Sequence, residues 1–114
     1  LAWTGHKKEL ADKIKQYIDR HYQDPITRET LHEAFGKNFY YIQRSFKEVW
    51  GIPPLHYLHQ VRIDKSKELL QKLALSITAI GLDMGYNDSA LFTKKFKEVE
   101  GTTPKEFRKT KRIQ

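Results

Sequence analysis

The sequence contains no cysteine. That excludes disulfides, thiol nucleophiles and every zinc finger with Cys ligands, and it fits a reducing, cytoplasmic setting. Only four prolines and six glycines interrupt the 114 residues, of which 39% are hydrophobic. Such a chain is globular rather than disordered. No apolar run approaches the ~18 residues needed to span a bilayer, and the start carries no signal-peptide pattern. There is no Ser-His-Asp arrangement on a recognisable elbow and no phosphate-cradling Gly-rich loop. Neither a catalytic residue nor a cofactor is therefore expected. His56 and His59 lie at i, i+3, but no third ligand is near in sequence, and Arg62 and Lys65 make the region cationic. His6, His21 and His32 lack ligand spacing, so no metal is expected.

What the chain does have is positive charge. Its 21 basic side chains against 14 acidic ones leave a net +7. The excess points to a polyanionic partner, with nucleic acid ahead of an anionic membrane surface.

The chain also repeats itself. Phe46-Lys47-Glu48-Val49-Trp50-Gly51 returns as Phe96-Lys97-Glu98-Val99-Glu100-Gly101. Upstream, Leu31 and Gly36 answer Ile80 and Gly85; downstream, Pro54 answers Pro104 and Tyr57 answers Phe107. Each half is too small for a comfortable core of its own, so the halves are expected to share an element.

Helical periodicity runs throughout. Leu10, Ile14, Tyr17 and Ile18 form the stripe of a helix over Lys7 to His21, stopped by Asp24-Pro25. Thr27 caps a short helix ending at Gly36, and Asn38 caps a third running to Val49 and closed by Gly51. On that helix Phe39, Ile42, Phe46 and Val49 face inward. The longest helix is expected from Pro54 to about Leu73, a rod of ~30 Å. Ser76 caps the next, ended by Gly85. Asn87 or Asp88 caps a sixth, with Phe92, Phe96 and Val99 inward. Thr103-Pro104-Lys105-Glu106 is a capping box for a last short helix to about Lys109, with a frayed basic tail. Trp50 and Tyr57 are read as packing residues, and Trp3 as an anchor or a domain-boundary remnant. The fold class is all-α, with seven helices. Residues 1–51 form one helix-turn-helix subdomain, 52–74 a linker helix and 75–114 a second subdomain.

A short helix, a turn near glycine and an amphipathic helix with polar residues outward suit reading of a major groove. The first copy offers Tyr40, Gln43, Arg44 and Lys47 at i, i+3, i+4 and i+7; the second offers Ala90, Thr93, Lys94 and Lys97, with Ser89 near its start. Arg44 suits paired hydrogen bonds to guanine and Gln43 to adenine, while Ala90 and the Thr93 methyl suit a thymine methyl. Lys47 and Lys97 lie further along and suit phosphates, with Thr27, Asn38 and Asn87 at helix starts. A helical module for RNA or an anionic membrane is the alternative. It is disfavoured because the repeated aromatics share one inward face, whereas a membrane helix sets Trp and Leu outward beside Lys.

These residues resemble the DNA-binding domain of the AraC/XylS transcription regulators over nearly the whole chain. The resemblance is carried by Ile80-x4-Gly85-Tyr86-x5-Phe92-x3-Phe96-Lys97-x3-Gly101-x-Thr103-Pro104-x2-Phe107-Arg108, and by Tyr57-Leu58-x3-Arg62-Ile63-x5-Leu69-Leu70. It implies two helix-turn-helix subdomains on one long helix, placed in successive major grooves of double-stranded DNA at an asymmetric promoter site. It further implies activation through RNA polymerase. If Leu1 marks an excision, a sensing or dimerising domain is expected ahead of it; if the protein is naturally this small, a monomer without its own ligand pocket is expected. Relatives that add alkyl transfer for DNA repair need a cysteine that is missing here. Where the family usually has alanine, this chain has His32, Gly81 and Ser66. His32 is expected either to splay the first motif or to turn outward, and Gly81 to cost roughly 1 kcal/mol of helix propensity. The first motif is expected to carry more base specificity, and the second more backbone grip.

Overall fold

The computed structural model describes residues 4–72 and 74–113. Trp3 and residue 73 lie outside them. The described residues form seven α-helices and no strand: α1 Thr4–His21, α2 Arg28–Phe35, α3 Phe39–Trp50, α4 Pro54–Leu70, α5 Ile77–Asp83, α6 Ser89–Glu100 and α7 Pro104–Ile113. The all-α expectation holds. The chain divides into two compact units, Leu1–Leu58 and His59–Gln114, with the division inside α4.

Helix ends follow local chemistry. The Thr27 hydroxyl accepts from the Thr30 amide while the Thr30 hydroxyl accepts from the Thr27 amide. Asn38 Oδ1 accepts from the Tyr41 amide and Ser76 Oγ from the Ala79 amide. For α6 the cap is Asp88, whose Oδ1 accepts from the Leu91 amide at 2.7 Å. Gly51 and Gly101 close α3 and α6 with φ of 85° and 86°, a region that strains any residue with a Cβ.

In the first unit, α1 packs on α3. Ala11, Ile14 and Ile18 of α1 join Leu31, Ile42 and Phe46 in a core with no solvent exposure. The Tyr57 hydroxyl donates to Asp19 Oδ1 at 2.6 Å, tying the start of α4 to α1. Burial and the neighbouring Asp19 hold the Tyr57 phenol above its ordinary range. Trp50 is 41% exposed, so it is not the packed residue expected. It ends α3, and the Lys8 and Lys15 ammonium groups sit over its ring at 5.7 and 5.3 Å.

In the second unit, Phe92 and Phe96 are wholly buried and meet Tyr86 and Phe107 through ring contacts. A Cβ on Gly81 would lie 3.0 Å from Phe92, so the helix interface here is built around the missing methyl. Arg62, only 6% exposed, lies over the Tyr86 ring at 5.1 Å. Burial lowers the Arg62 pKa and pushes Tyr86 up to about 12, each opposed by the electrostatic interaction between the two groups. Tyr86 also hydrogen-bonds His59 Nδ1 at 2.7 Å. These contacts fix the turn before α6 to α4. Val99, expected inward, is 37% exposed. At that end α6 also carries the Lys67–Glu100 ion pair.

Two helix lengths differ from expectation. The last helix does not fray at Lys109: its backbone continues to Ile113. In contrast α4 stops at Leu70, so its 17 residues make a rod of about 26 Å rather than ~30 Å. The stop comes from α7. Arg108 Nε donates to the Leu70 carbonyl at 2.7 Å, and its terminal nitrogen donates to the Lys72 carbonyl at 3.2 Å. One planar guanidinium thus takes two carbonyls at the end of α4. Arg108→Ala is expected to destabilise the domain by roughly 2 kcal/mol, since bonds from a charged donor exceed ordinary ones. Arg108→Lys is expected to recover little, because an ammonium lacks the fork. Urea unfolding of the three proteins checks both points.

Candidate nucleic-acid interface

On α3 the inner face is Ile42, Ser45 and Phe46, all without exposure. Phe39 and Val49 are half-buried at its margins. The opposite face carries Tyr40, Arg44 and Lys47 in solvent, with Gln43 half-exposed beside them. Tyr40 is 67% exposed, and the Arg44 guanidinium carbon lies 5.7 Å from its ring centre. An exposed tyrosine beneath an arginine is a shelf that restricts the guanidinium without burying it. On its other side Arg44 lies 3.7 Å from Glu48, an ion pair too long for a hydrogen bond. The other Glu48 oxygen is 3.1 Å from the Lys7 ammonium of α1.

The equivalent face of α6 has Ala90, Lys94 and Lys97 in solvent, with Ser89 and Thr93 half-exposed. Leu91 is 39% exposed beside them. All seven residues assigned to base reading are therefore at a solvent-accessible face of α3 or α6. The five assigned to phosphates are exposed as well. Thr27 and Asn38 use an oxygen for helix capping, which leaves the Thr27 hydroxyl proton and the Asn38 amide protons for an outside acceptor. Asn87 is exposed but caps nothing, because Asp88 holds that place. Sequence reasoning did not weigh the charge of Asp88. A carboxylate at the start of α6, where the first copy has a neutral Asn38, makes that end less receptive to a phosphate.

His32 does not intrude between α2 and α3. Its ring points outward, and Nδ1 hydrogen-bonds the Lys37 carbonyl at 2.8 Å, bracing the turn. No cluster of three or more metal-ligating side chains occurs among the described residues. Nor is any described helix long and apolar enough to cross a membrane.

Each unit thus presents a capped, amphipathic helix behind a shorter one, with a basic and polar outer face. Comparison with known proteins identifies the arrangement. The pattern of a family described as "Helix-turn-helix domain" matches residues 26–110. The chain belongs to the AraC-type helix-turn-helix family of transcription regulators. The C-terminal domain of AraT, a response regulator from Geobacillus stearothermophilus, superposes on it with a TM-score of 0.83 at 30% identity, covering 89% of this chain and 84% of that one. YisR of Bacillus subtilis, an uncharacterised HTH-type transcriptional regulator, is 31% identical over 103 residues, which are 90% of this chain and 36% of YisR. AdaA of the same organism, a bifunctional transcriptional activator and DNA repair enzyme, is 30% identical over 106 residues, 93% of this chain and 50% of AdaA. The chain therefore spans half or less of the length of these two relatives. As a member of the AraC-type family, it is a sequence-specific DNA-binding domain of a transcription regulator.

Proposed function

We propose that α3 and α6 enter two successive major grooves of one duplex, with α4 as the element between them. Residues 1–51 and 75–114 are then the two reading subdomains, and 52–74 the linker. The observation that carries this reading is the repeated outer face: Tyr40, Gln43, Arg44 and Lys47 on α3 recur in position as Ala90, Thr93, Lys94 and Lys97 on α6. Tyr40, Gln43 and Arg44 read bases in the first half-site; Ser89, Ala90, Thr93 and Lys94 contact bases in the second. Thr27, Asn38, Lys47 and Lys97 hold phosphates, and Asn87 does so against the charge of Asp88 beside it.

The two faces differ in chemistry, so the site is asymmetric. Arg44 and Gln43 bring two side chains able to make paired hydrogen bonds to one base. The α6 face brings a methyl, a short hydroxyl and an ammonium, which discriminate less. The first motif carries the sequence preference and the second adds grip. The domain acts by binding alone, in the cytoplasm. It serves promoter activation through RNA polymerase, under a sensing or dimerising domain of the same protein. The activator named among its relatives supports that outcome.

Selection of bound sites from a random duplex pool tests the reading. The expected product is one non-palindromic site with two preferred blocks about one helical turn apart, the first more sharply defined. A palindrome, or a single block, sinks it. Lys97→Ala is expected to weaken all sequences about equally and to lower the salt slope by roughly 1, as loss of one phosphate contact requires. Affinity measured across a salt series on selected and scrambled duplexes checks this.

A further inference from the structure

Both copies of the repeat carry a glutamate directly after the lysine assigned to phosphate: Glu48 after Lys47, and Glu98 after Lys97. A carboxylate beside that face opposes the approach of a polyanion. The second copy answers it within α6, where Lys95 lies 3.4 Å from Glu98. The first copy has Ser45 at the position matching Lys95, and Ser45 is wholly buried. Its countercharge comes instead from Lys7 of α1, 3.1 Å from Glu48 Oε2. Residue 7 lies ahead of the stretch 26–110 that matches the family.

We infer that Lys7 is a positioning residue for DNA recognition: it holds Glu48, and so leaves Arg44 free to turn to a base. This role holds only if Arg44 reads a base, as proposed above. Glu48 has two oxygens and two cations to serve. With Lys7 bound, Arg44 stays at 3.7 Å, outside hydrogen-bond reach. Without Lys7, the carboxylate is free to close on Arg44, which then has to break a charged hydrogen bond before reaching guanine. Whenever Arg44 then leaves Glu48 for a base, the uncompensated charge also repels phosphates out to about 8 Å at physiological salt. As an exposed pair, Lys7–Glu48 adds little to stability. Its effect therefore appears in binding.

The test compares duplex affinity and base preference of Lys7→Ala, Lys8→Ala, Lys7→Arg, Lys7→Ala/Glu48→Gln and Arg44→Ala at low salt. Lys8→Ala is the control. It removes the same charge from the same helix, but Lys8 pairs with Asp12, not Glu48. Lys7→Ala is expected to bind about tenfold more weakly than the unaltered domain, against about two- to threefold for Lys8→Ala. It also relaxes preference at the base pair read by Arg44. Lys7→Arg, and Lys7→Ala with Glu48→Gln, are expected to bind within about twofold of the unaltered domain and to regain that preference. A merely structural bridge would move stability in urea unfolding and leave base preference unchanged. If Lys7→Ala behaves as Lys8→Ala does, or if Glu48→Gln fails to restore it, while Arg44→Ala does relax the preference, the role of Lys7 is overturned alone. If Arg44→Ala leaves base preference unchanged, the reading of Arg44 falls, and the role of Lys7 with it.

Discussion

Phe92→Ala is expected to destabilise the domain by about 3–5 kcal/mol, the largest effect of any single change considered. Phe92 has no solvent exposure, and its ring meets those of Tyr86 and Phe96. Its side chain also fills the space left by Gly81, which a methyl would invade at 3.0 Å. Truncation therefore opens a cavity where two helices touch. A domain of this size has roughly 6–17 kcal/mol of total stability, so the loss removes a large share of it. Val99→Ala, on the same helix but 37% exposed, is expected to change stability by less than about 1 kcal/mol. Urea unfolding of both variants checks the contrast. Equal shifts would mean that the α5–α6 contact is not organised around Phe92.

Arg44→Ala has the largest expected effect on recognition. It is expected to remove roughly 1–3 kcal/mol of discrimination at one base pair of the first block, leaving preferences in the second block intact. The Tyr40 shelf and the long contact to Glu48 keep the guanidinium exposed and orientable. Its removal costs the fold little, and the loss should appear in binding to preferred duplex alone. Competition between the selected duplex and single-pair variants measures it. An unchanged preference at every pair would remove Arg44 from base reading.

Much of the architecture was legible because it is written locally. Thr27, Asn38 and Ser76 are capping residues directly ahead of apolar stripes, and each caps in the structure. Glycines after α3 and α6 take the left-handed conformation their positions suggest. The start of α6 was ambiguous because Asn87 and Asp88 are both good caps. Only the three-residue spacing to the Leu91 amide decides for Asp88.

The rest depends on partners far away in sequence. The end of α4 is set by Arg108, 38 residues beyond Leu70, so no reading of residues 54–74 alone finds it. Gly81 reads as a propensity cost along the chain and becomes a packing requirement once Phe92 lies against it. His32 looks too bulky for a helix contact until the Lys37 carbonyl gives its ring a partner outside. Glu48 reads as an ordinary solvated charge in the repeat; Lys7, 41 residues earlier, gives it a place in recognition. In the candidate interface the helical period alone identified the outer faces. The placement of Arg44 over the Tyr40 ring depends on side-chain conformations that the period does not carry.

If α3 and α6 enter successive major grooves of one duplex, as proposed, the spacing of the two blocks is decisive for binding. Inserting about five base pairs between the two blocks of a selected site turns the second block to the opposite face of the duplex. Affinity for that duplex should fall to the level of a site with one block scrambled, and inserting a full turn should not recover it, because the two blocks then no longer lie in successive grooves. Undiminished binding to the half-turn duplex would contradict the account.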